Sequence, residues 1–162
     1  MDFLEKHLDK LDWFYLSRNT NIPVEFFEKH FALINWNGLS MNSNIPVEFF
    51  EKHLDKINWV ELSGNSSIPV EFFEKHLNDI YWNNLCMNPN IPVEFFEKYL
   101  DKMGWVYLSC NSVFPIEFFE KHLDKLNWWC MCERMNINKQ QKKYNDFLKL
   151  EKRIIDLLSK GP

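Results

Sequence analysis

The sequence predicts an all-α protein: a right-handed solenoid of stacked 23-residue helical units, closed by a C-terminal capping helix. Three observations predict it. Trp13, Trp36, Trp59, Trp82, Trp105 and Trp128 are spaced 23 residues apart, and Pro23, Pro46, Pro69, Pro92 and Pro115 keep the same interval. A fixed period in this range marks an array of supersecondary units, each burying its apolar side against its neighbours. Residues are 46% hydrophobic and 17% aromatic, enough for burial, and the four glycines are too few for a Gly-rich β architecture.

The chain divides into a solenoid over 1–135, of about six units, and an amphipathic capping helix over 136–162. The first unit is truncated: Met1-Asp2 replaces the Ile-Pro start, and Asp2 supplies an acid at the helix start. Full units begin at Pro23, Pro46, Pro69 and Pro92, and the unit at Pro115 degenerates after Trp128.

Each unit reads as a long α-helix and a short α or 3₁₀ element. In the unit from Pro46, the proline suits the first helical position, where its missing N–H costs nothing. Ile45 stands where a capping Ser or Thr would be, as an apolar anchor. The helix is expected to run to about Ile57, with Phe50, Leu54 and Ile57 on one buried stripe and Phe49 and His53 beside it. Glu48 and Lys52 form an i,i+4 pair, repeated at Glu25–Lys29, Glu71–Lys75, Glu94–Lys98 and Glu117–Lys121. Trp59-Val60-Glu61-Leu62-Ser63 allows one or two turns, with Trp59 and Leu62 on one face. Asn65 recurs as Asn19, Asn42, Asn88 and Asn111. Two roles are open to it: a left-handed residue ending the short helix, or an amide bonding loop backbone, one Asn above another.

The pattern Asn-x-x-Ile-Pro-x-Glu-Phe-Phe, an apolar helix, then Trp-x-x-Leu-Ser-x-Asn resembles the leucine-rich variant repeat over about residues 1–132. That family alternates an α-helix with a 3₁₀ helix in a curved solenoid, and its signature is Asn-Pro-x-Thr-Pro-x-Glu-Val-Leu. The present unit departs from it by one residue in length, by Ile in place of the capping Thr and by the Trp. The unit is also similar to tandem repeats in proteins of giant DNA viruses, which implies a host-cytoplasmic setting. Neither likeness implies an activity for any residue.

From Glu133 the period breaks. From Tyr144 an amphipathic helix is expected, with Tyr144, Phe147, Leu148, Ile154, Ile155 and Leu158 on one side to cover the last apolar face. Its alternative role is a partner-binding helix. Residues 1–132 carry 11 Lys and Arg against 19 Asp and Glu, and residues 133–162 carry 8 against 4. An acidic array repels phosphate backbones, which argues against nucleic acid along its length. The start of the chain is already inside a unit and carries no apolar leader, and no run spans a membrane. Cys86, Cys110, Cys130 and Cys132 replace other residue types unit by unit rather than recurring, so no disulfide framework is expected and a reducing, intracellular location is.

The candidate chemistry reads as packing. His7, His30, His53, His76 and His122 form a ladder that Tyr99 interrupts, and layers roughly 8–10 Å apart are too distant to share a zinc ion, whose ligand atoms lie about 2 Å away. Cys130-x-Cys132 is a metal half-site at most, with Cys110 able to approach, while Cys86 and Cys132 occupy the place of Ser17, Ser40, Ser63 and Ser109. The Trp series has a Leu or Met partner three residues on and reads as core rather than a stacking platform. Glu25, Glu48, Glu71, Glu94 and Glu117 read as solvated helix starts. No nucleophile–base pair, phosphate loop or nucleotide fingerprint is present, so neither enzyme, cofactor, metal nor small-molecule substrate is expected.

What varies between units is the short element. The residue after Trp is Phe14, Asn37, Val60, Asn83, Val106 or Trp129, and the next is Tyr15, Gly38, Glu61, Asn84, Tyr107 or Cys130. The residue after the Ser or Cys is Arg18, Met41, Gly64, Met87, Cys110 or Glu133. Sites that accept Gly, Glu and Tyr in turn are expected to face outward as one strip. Phe14, Tyr15, Met41, Met87, Val106 and Tyr107 are the candidate protein-partner surface, apolar and adaptable. The expected function is a non-enzymatic protein-interaction scaffold, monomeric or weakly self-associating. The alternative is a structural protein that oligomerises through its ends.

Overall fold

Proline opens the first helix of each full unit. Pro46 has φ −65° and ψ 144°, and its carbonyl accepts the Phe49 N–H at 3.0 Å. It therefore stands one position before the helix rather than inside it, and Ile45 beneath it is buried. The computed structural model describes residues 1–111, 114–138 and 152, with the backbone alone for 116 and 134–138. It is all-helical among these residues, with no strand. The first helices are α1 (Asp2–Glu5), α3 (Val24–Lys29), α5 (Val47–Glu51), α7 (Val70–Lys75), α9 (Val93–Lys98) and α11 (Ile116–Glu120). The second helices are α2 (Trp13–Arg18), α4 (Trp36–Ser40), α6 (Trp59–Gly64), α8 (Trp82–Leu85), α10 (Trp105–Cys110) and α12 (Trp128–Asn138). The fold is the helical-repeat solenoid that the 23-residue period predicts.

The division inside the unit differs from expectation. The first helix ends near Glu51 or Lys75, not at Ile57. His53 N–H bonds to Phe50 O at 3.0 Å and Lys56 N–H to His53 O at 2.9 Å, both spanning three residues. The corresponding turns at Leu8–Lys10, Phe31–Leu33, Leu100–Lys102 and Leu123–Lys125 are 3₁₀. The 3₁₀ element thus follows the first helix, and the second helix is α. Tighter winding, about three residues per turn, rotates Leu54 out of the expected stripe to 37% exposure, while Ile57 remains buried.

Core positions repeat with the unit. Phe27, Phe50, Phe73, Phe96 and Phe119 have no exposed surface, and neither do Leu39, Leu62, Leu85 and Leu108. Each such side chain contributes about 1.5–3 kcal/mol by leaving water. The tryptophans flank this core rather than fill it. Trp13, Trp36, Trp59, Trp82 and Trp105 are half-buried, and Trp128 is exposed. Each half-buried ring stacks on the first Phe of the next unit, as Trp59 does on Phe72 at 5.7 Å, so it joins layers instead of sitting inside one.

The second helices form the closely packed row: α2 against α4, α4 against α6, α6 against α8, α8 against α10, and α10 against α12. First helices are bridged by long side chains. Lys29 meets Glu5 at 2.8 Å, Lys75 meets Glu51 at 3.2 Å, Lys98 meets Glu74 at 3.0 Å and Lys121 meets Glu97 at 3.5 Å. These pairs join successive layers and replace the expected pairing within one helix. Stacking sets the lysine at one helix end beside the glutamate at the end below. Lys29, and then His30, hold the Glu5 carboxyl below its ordinary range, and Glu74 holds the Lys98 ammonium above its own. Being exposed, such pairs contribute little to stability.

At the C-terminal side, α12 runs to Asn138 and crosses residue 135, the expected end of the solenoid. Arg134 stands where the other units carry the Asn that ends the second helix, and no Ile-Pro follows. The expected capping helix, with Tyr144, Phe147, Leu148, Ile154, Ile155 and Leu158, lies outside the described residues.

Candidate functional site

The site is built on a polar spine that fixes the second helices. Asn65 has φ −76° and ψ 112°, which is extended backbone and not left-handed. Its amide donates to Ser40 O at 3.0 Å and Asn42 O at 3.2 Å, and its Oδ1 accepts the Ser67 N–H at 3.0 Å. Asn42 bonds to Ser17 O and Asn19 O, Asn88 to Ser63 O and Asn65 O, and Asn111 to Cys86 O. Of the two roles open to this residue, the ladder is the one adopted.

A second ladder runs through the serines. Ser63 Oγ donates to Trp59 O at 2.7 Å and accepts the Tyr81 N–H of the next unit at 3.0 Å. Ser40 and Ser109 repeat both bonds, to Trp36 and Asn58 and to Trp105 and Asn127. The serine is thus a two-way link, a role that the sequence signals only through its recurrence four residues after Trp. Cys86 takes this place in the fourth unit: its thiol lies 3.6 Å from Met103 Sδ and is pushed by burial up to about 11, with the Gly104 N–H working the other way. Side-chain caps also escaped the sequence reading. Asp12 accepts the Phe14 and Tyr15 N–H groups, Asn58 those of Val60 and Glu61, Asn35 that of Gly38 and Asn127 that of Cys130. The signal was Asp or Asn immediately before Trp.

On this frame the candidate partner residues take different places. Tyr15 is 68% exposed, and Met87, Val106 and Tyr107 are exposed too. Phe14 and Met41 are half-buried. The Phe14 ring lies edge-on to Tyr15 at 5.3 Å. Val60 and Trp129, the latter 71% exposed, belong to the same row but were not among the chosen residues. Two members of the variable set face inward. Cys130 is buried, and Gly38 is buried because a Cβ there would run into the Phe14 carbonyl. Variation at Gly38 therefore reflects a close approach of α2 to α4, not free exposure.

A shallow cavity of about 160 Å³, lined by Met41, Glu61, Gly64, Asn65 and Asn84, opens on this row; drug-sized ligand pockets run roughly 300–1,000 Å³. The ladder rings pack as read: His53 lies 4.9 Å from Phe49 and 5.7 Å from Trp36, and Tyr99 lies 5.0 Å from Phe95. Glu25, Glu48, Glu71, Glu94 and Glu117 are exposed. Among the described residues, no three His, Cys, Asp or Glu side chains are grouped to hold a metal ion, and no helix is long and apolar enough to cross a membrane. No family model, curated protein or solved structure matches the chain.

Proposed function

We propose that the protein is a non-enzymatic interaction scaffold that presents the outer side of its second-helix row to a protein partner. The observation that carries this reading is the contrast along that row. Its inward side is fixed by the Asn and Ser ladders, while its outward side carries exposed and variable Tyr15, Met87, Val106 and Tyr107. Large apolar side chains held on a rigid frame lose little entropy on binding. The acidic balance of the array supports a protein partner over nucleic acid, and an intracellular, reducing setting fits cysteines that replace other residues unit by unit. The likeness to leucine-rich variant repeats and to repeats of giant DNA viruses belongs to the same proposal. What supports the former is the alternation of an α-helix, a tight turn and a second helix, the turn being 3₁₀ in four of the units.

The experiment uses the full chain as bait in a lysate, then variants against the captured protein. Tyr15→Ala combined with Tyr107→Ala weakens capture at an unchanged melting temperature, while charge reversal at Glu48 and Glu71 leaves capture intact. The opposite pattern moves the surface to the first helices. A second reading, self-association through the array ends, is favoured by Phe3, which is 71% exposed in the truncated first unit. Solution mass measured across protein concentration separates the two, since a monomer throughout removes it.

A further inference from the structure

Cys110 is the last residue of α10, and Cys130 lies in the first turn of α12, the helix packed against it. The repeat gives a measure of their separation. Two periods earlier, the same positions are Gly64 and Asn84, where an ideal Cβ on Gly64 lies 3.9 Å from Asn84 Cβ. The layers are in the same register at both places: Tyr81 N–H meets Ser63 Oγ at 3.0 Å, and Asn127 N–H meets Ser109 Oγ at 3.1 Å. Disulfides join Cβ atoms roughly 3.5–4.5 Å apart.

We propose that Cys110 and Cys130 are a disulfide-forming pair that staples the second helix of the fifth unit to that of the sixth. The assignment is specific among the four cysteines. Cys86 is buried against Met103. Cys132 is exposed, and two residues along a helix from Cys130 it does not share that residue's face. The oxidant is a low-molecular-weight disulfide. The Cys110 thiolate, on the exposed side, attacks one sulfur of it and expels a thiolate, leaving a mixed disulfide. The Cys130 thiolate then attacks the Cys110 sulfur, forms the Cys110–Cys130 bond and expels the second thiolate. The pair gives up two electrons and two protons, and the reagent leaves as two thiols. Partial burial, with the Cys130 thiol beside it, pushes Cys110 up to about 11, so the first step is slow at neutral pH and quickens as pH rises. The staple fixes the relative position of Val106, Tyr107 and Trp129, yet its formation rests on the helix geometry and not on the binding proposal.

The test incubates the folded full chain with oxidised glutathione at mildly alkaline pH, blocks the remaining thiols by alkylation, and maps peptides by mass spectrometry without reductant. The expected result is a cross-linked Cys110–Cys130 peptide pair that dithiothreitol releases, with a melting temperature raised in the oxidised chain and restored on reduction. Cys132→Ser retains the cross-link. In Cys130→Ser the glutathione adduct accumulates on Cys110 unresolved. A Cys110–Cys132 or Cys130–Cys132 link, a persistent glutathione adduct on Cys110 of the unaltered chain, or no link at all overturns the assignment.

Discussion

The Asn65 amide donates to the Ser40 carbonyl at 3.0 Å, across 25 residues of chain and one layer of the array. The same amide reaches Asn42 O, and its own carbonyl oxygen holds the turn at Ser67. One buried side chain thus satisfies the end of the helix below and shapes the turn that leads to the next proline. Asn65→Ala leaves buried carbonyls and an N–H without this partner, at about 1–3 kcal/mol for each group that water cannot reach. The expected loss is about 3 kcal/mol in urea unfolding. Asn19 is exposed, and the bond its side chain makes among the described residues is to the Asn21 N–H, so Asn19→Ala in this chain should cost under about 1 kcal/mol. Equal losses at the two sites would show that the ladder does not carry the stability.

The aromatic residues separate by burial rather than by regularity. Phe73 is fully buried, whereas Trp59 is half-buried and stacked on Phe72. Phe73→Ala is expected to cost about 4 kcal/mol, within the range for buried Phe. Trp59→Ala is expected to cost about 2 kcal/mol, less than Phe73→Ala, because part of the ring already meets water. Chemical denaturation of both variants checks the order, and a larger loss at Trp59 would return the tryptophans to the centre of the core.

These cases show where the sequence was informative. A strict 23-residue interval survives any detail of local winding, so the array, the buried residue before each proline and the packing role of the histidines were all legible. The inner division of the unit was not. An α stripe and an α helix followed by a 3₁₀ turn place Phe50 and Ile57 alike and differ mainly at Leu54. Hydrogen bonds between layers were hidden for another reason. Ser63 and Asn65 find their partners about one period away in the chain, and residue type alone does not state a partner. Exposure of the variable strip was legible at Tyr15 and Tyr107 and not at Gly38, where variation marks a contact.

Cys86 makes stability depend on alkaline pH. Burial raises its thiol from an ordinary 9.0 to about 11, and the Gly104 N–H works the other way. The folded state therefore holds this proton more tightly than the unfolded chain. The contribution is fully present below about pH 9 and is lost as pH rises toward about pH 11, at up to about 1.4 kcal/mol per pH unit. Cys86→Ser removes that loss and restores the residue that makes both ladder bonds in neighbouring units, with a change of about 0–1 kcal/mol at neutral pH. Urea midpoints of both chains, followed from neutral to alkaline pH, should diverge in this window. Parallel curves would mean that the thiol does not govern the alkaline limb.

Two glycines in equivalent helices give opposite signs for one substitution. Both Gly38, in α4, and Gly64, at the end of α6, take the ordinary helical side of the backbone map, so neither needs glycine for its own conformation. Space alone distinguishes them. A Cβ on Gly38 meets the Phe14 carbonyl and comes within 3.3 Å of the Arg18 nitrogen. Both are backbone atoms of α2 and cannot swing aside as a side chain would. Gly38→Ala must push α2 and α4 apart, and the expected cost is about 2–3 kcal/mol, as for overpacking in a close-packed interior. At Gly64 the nearest neighbour of a new Cβ is Asn84 Cβ at 3.9 Å, an ordinary contact. There the methyl group reduces the freedom of the unfolded chain and favours the helix, for an expected gain of about 0.5 kcal/mol. Thermal melts of the two variants beside the unaltered chain read the signs directly. A stable Gly38→Ala would mean that α2 and α4 do not approach this closely, and a destabilised Gly64→Ala would mean that the cavity wall beside Asn84 is tighter than its 3.9 Å spacing implies.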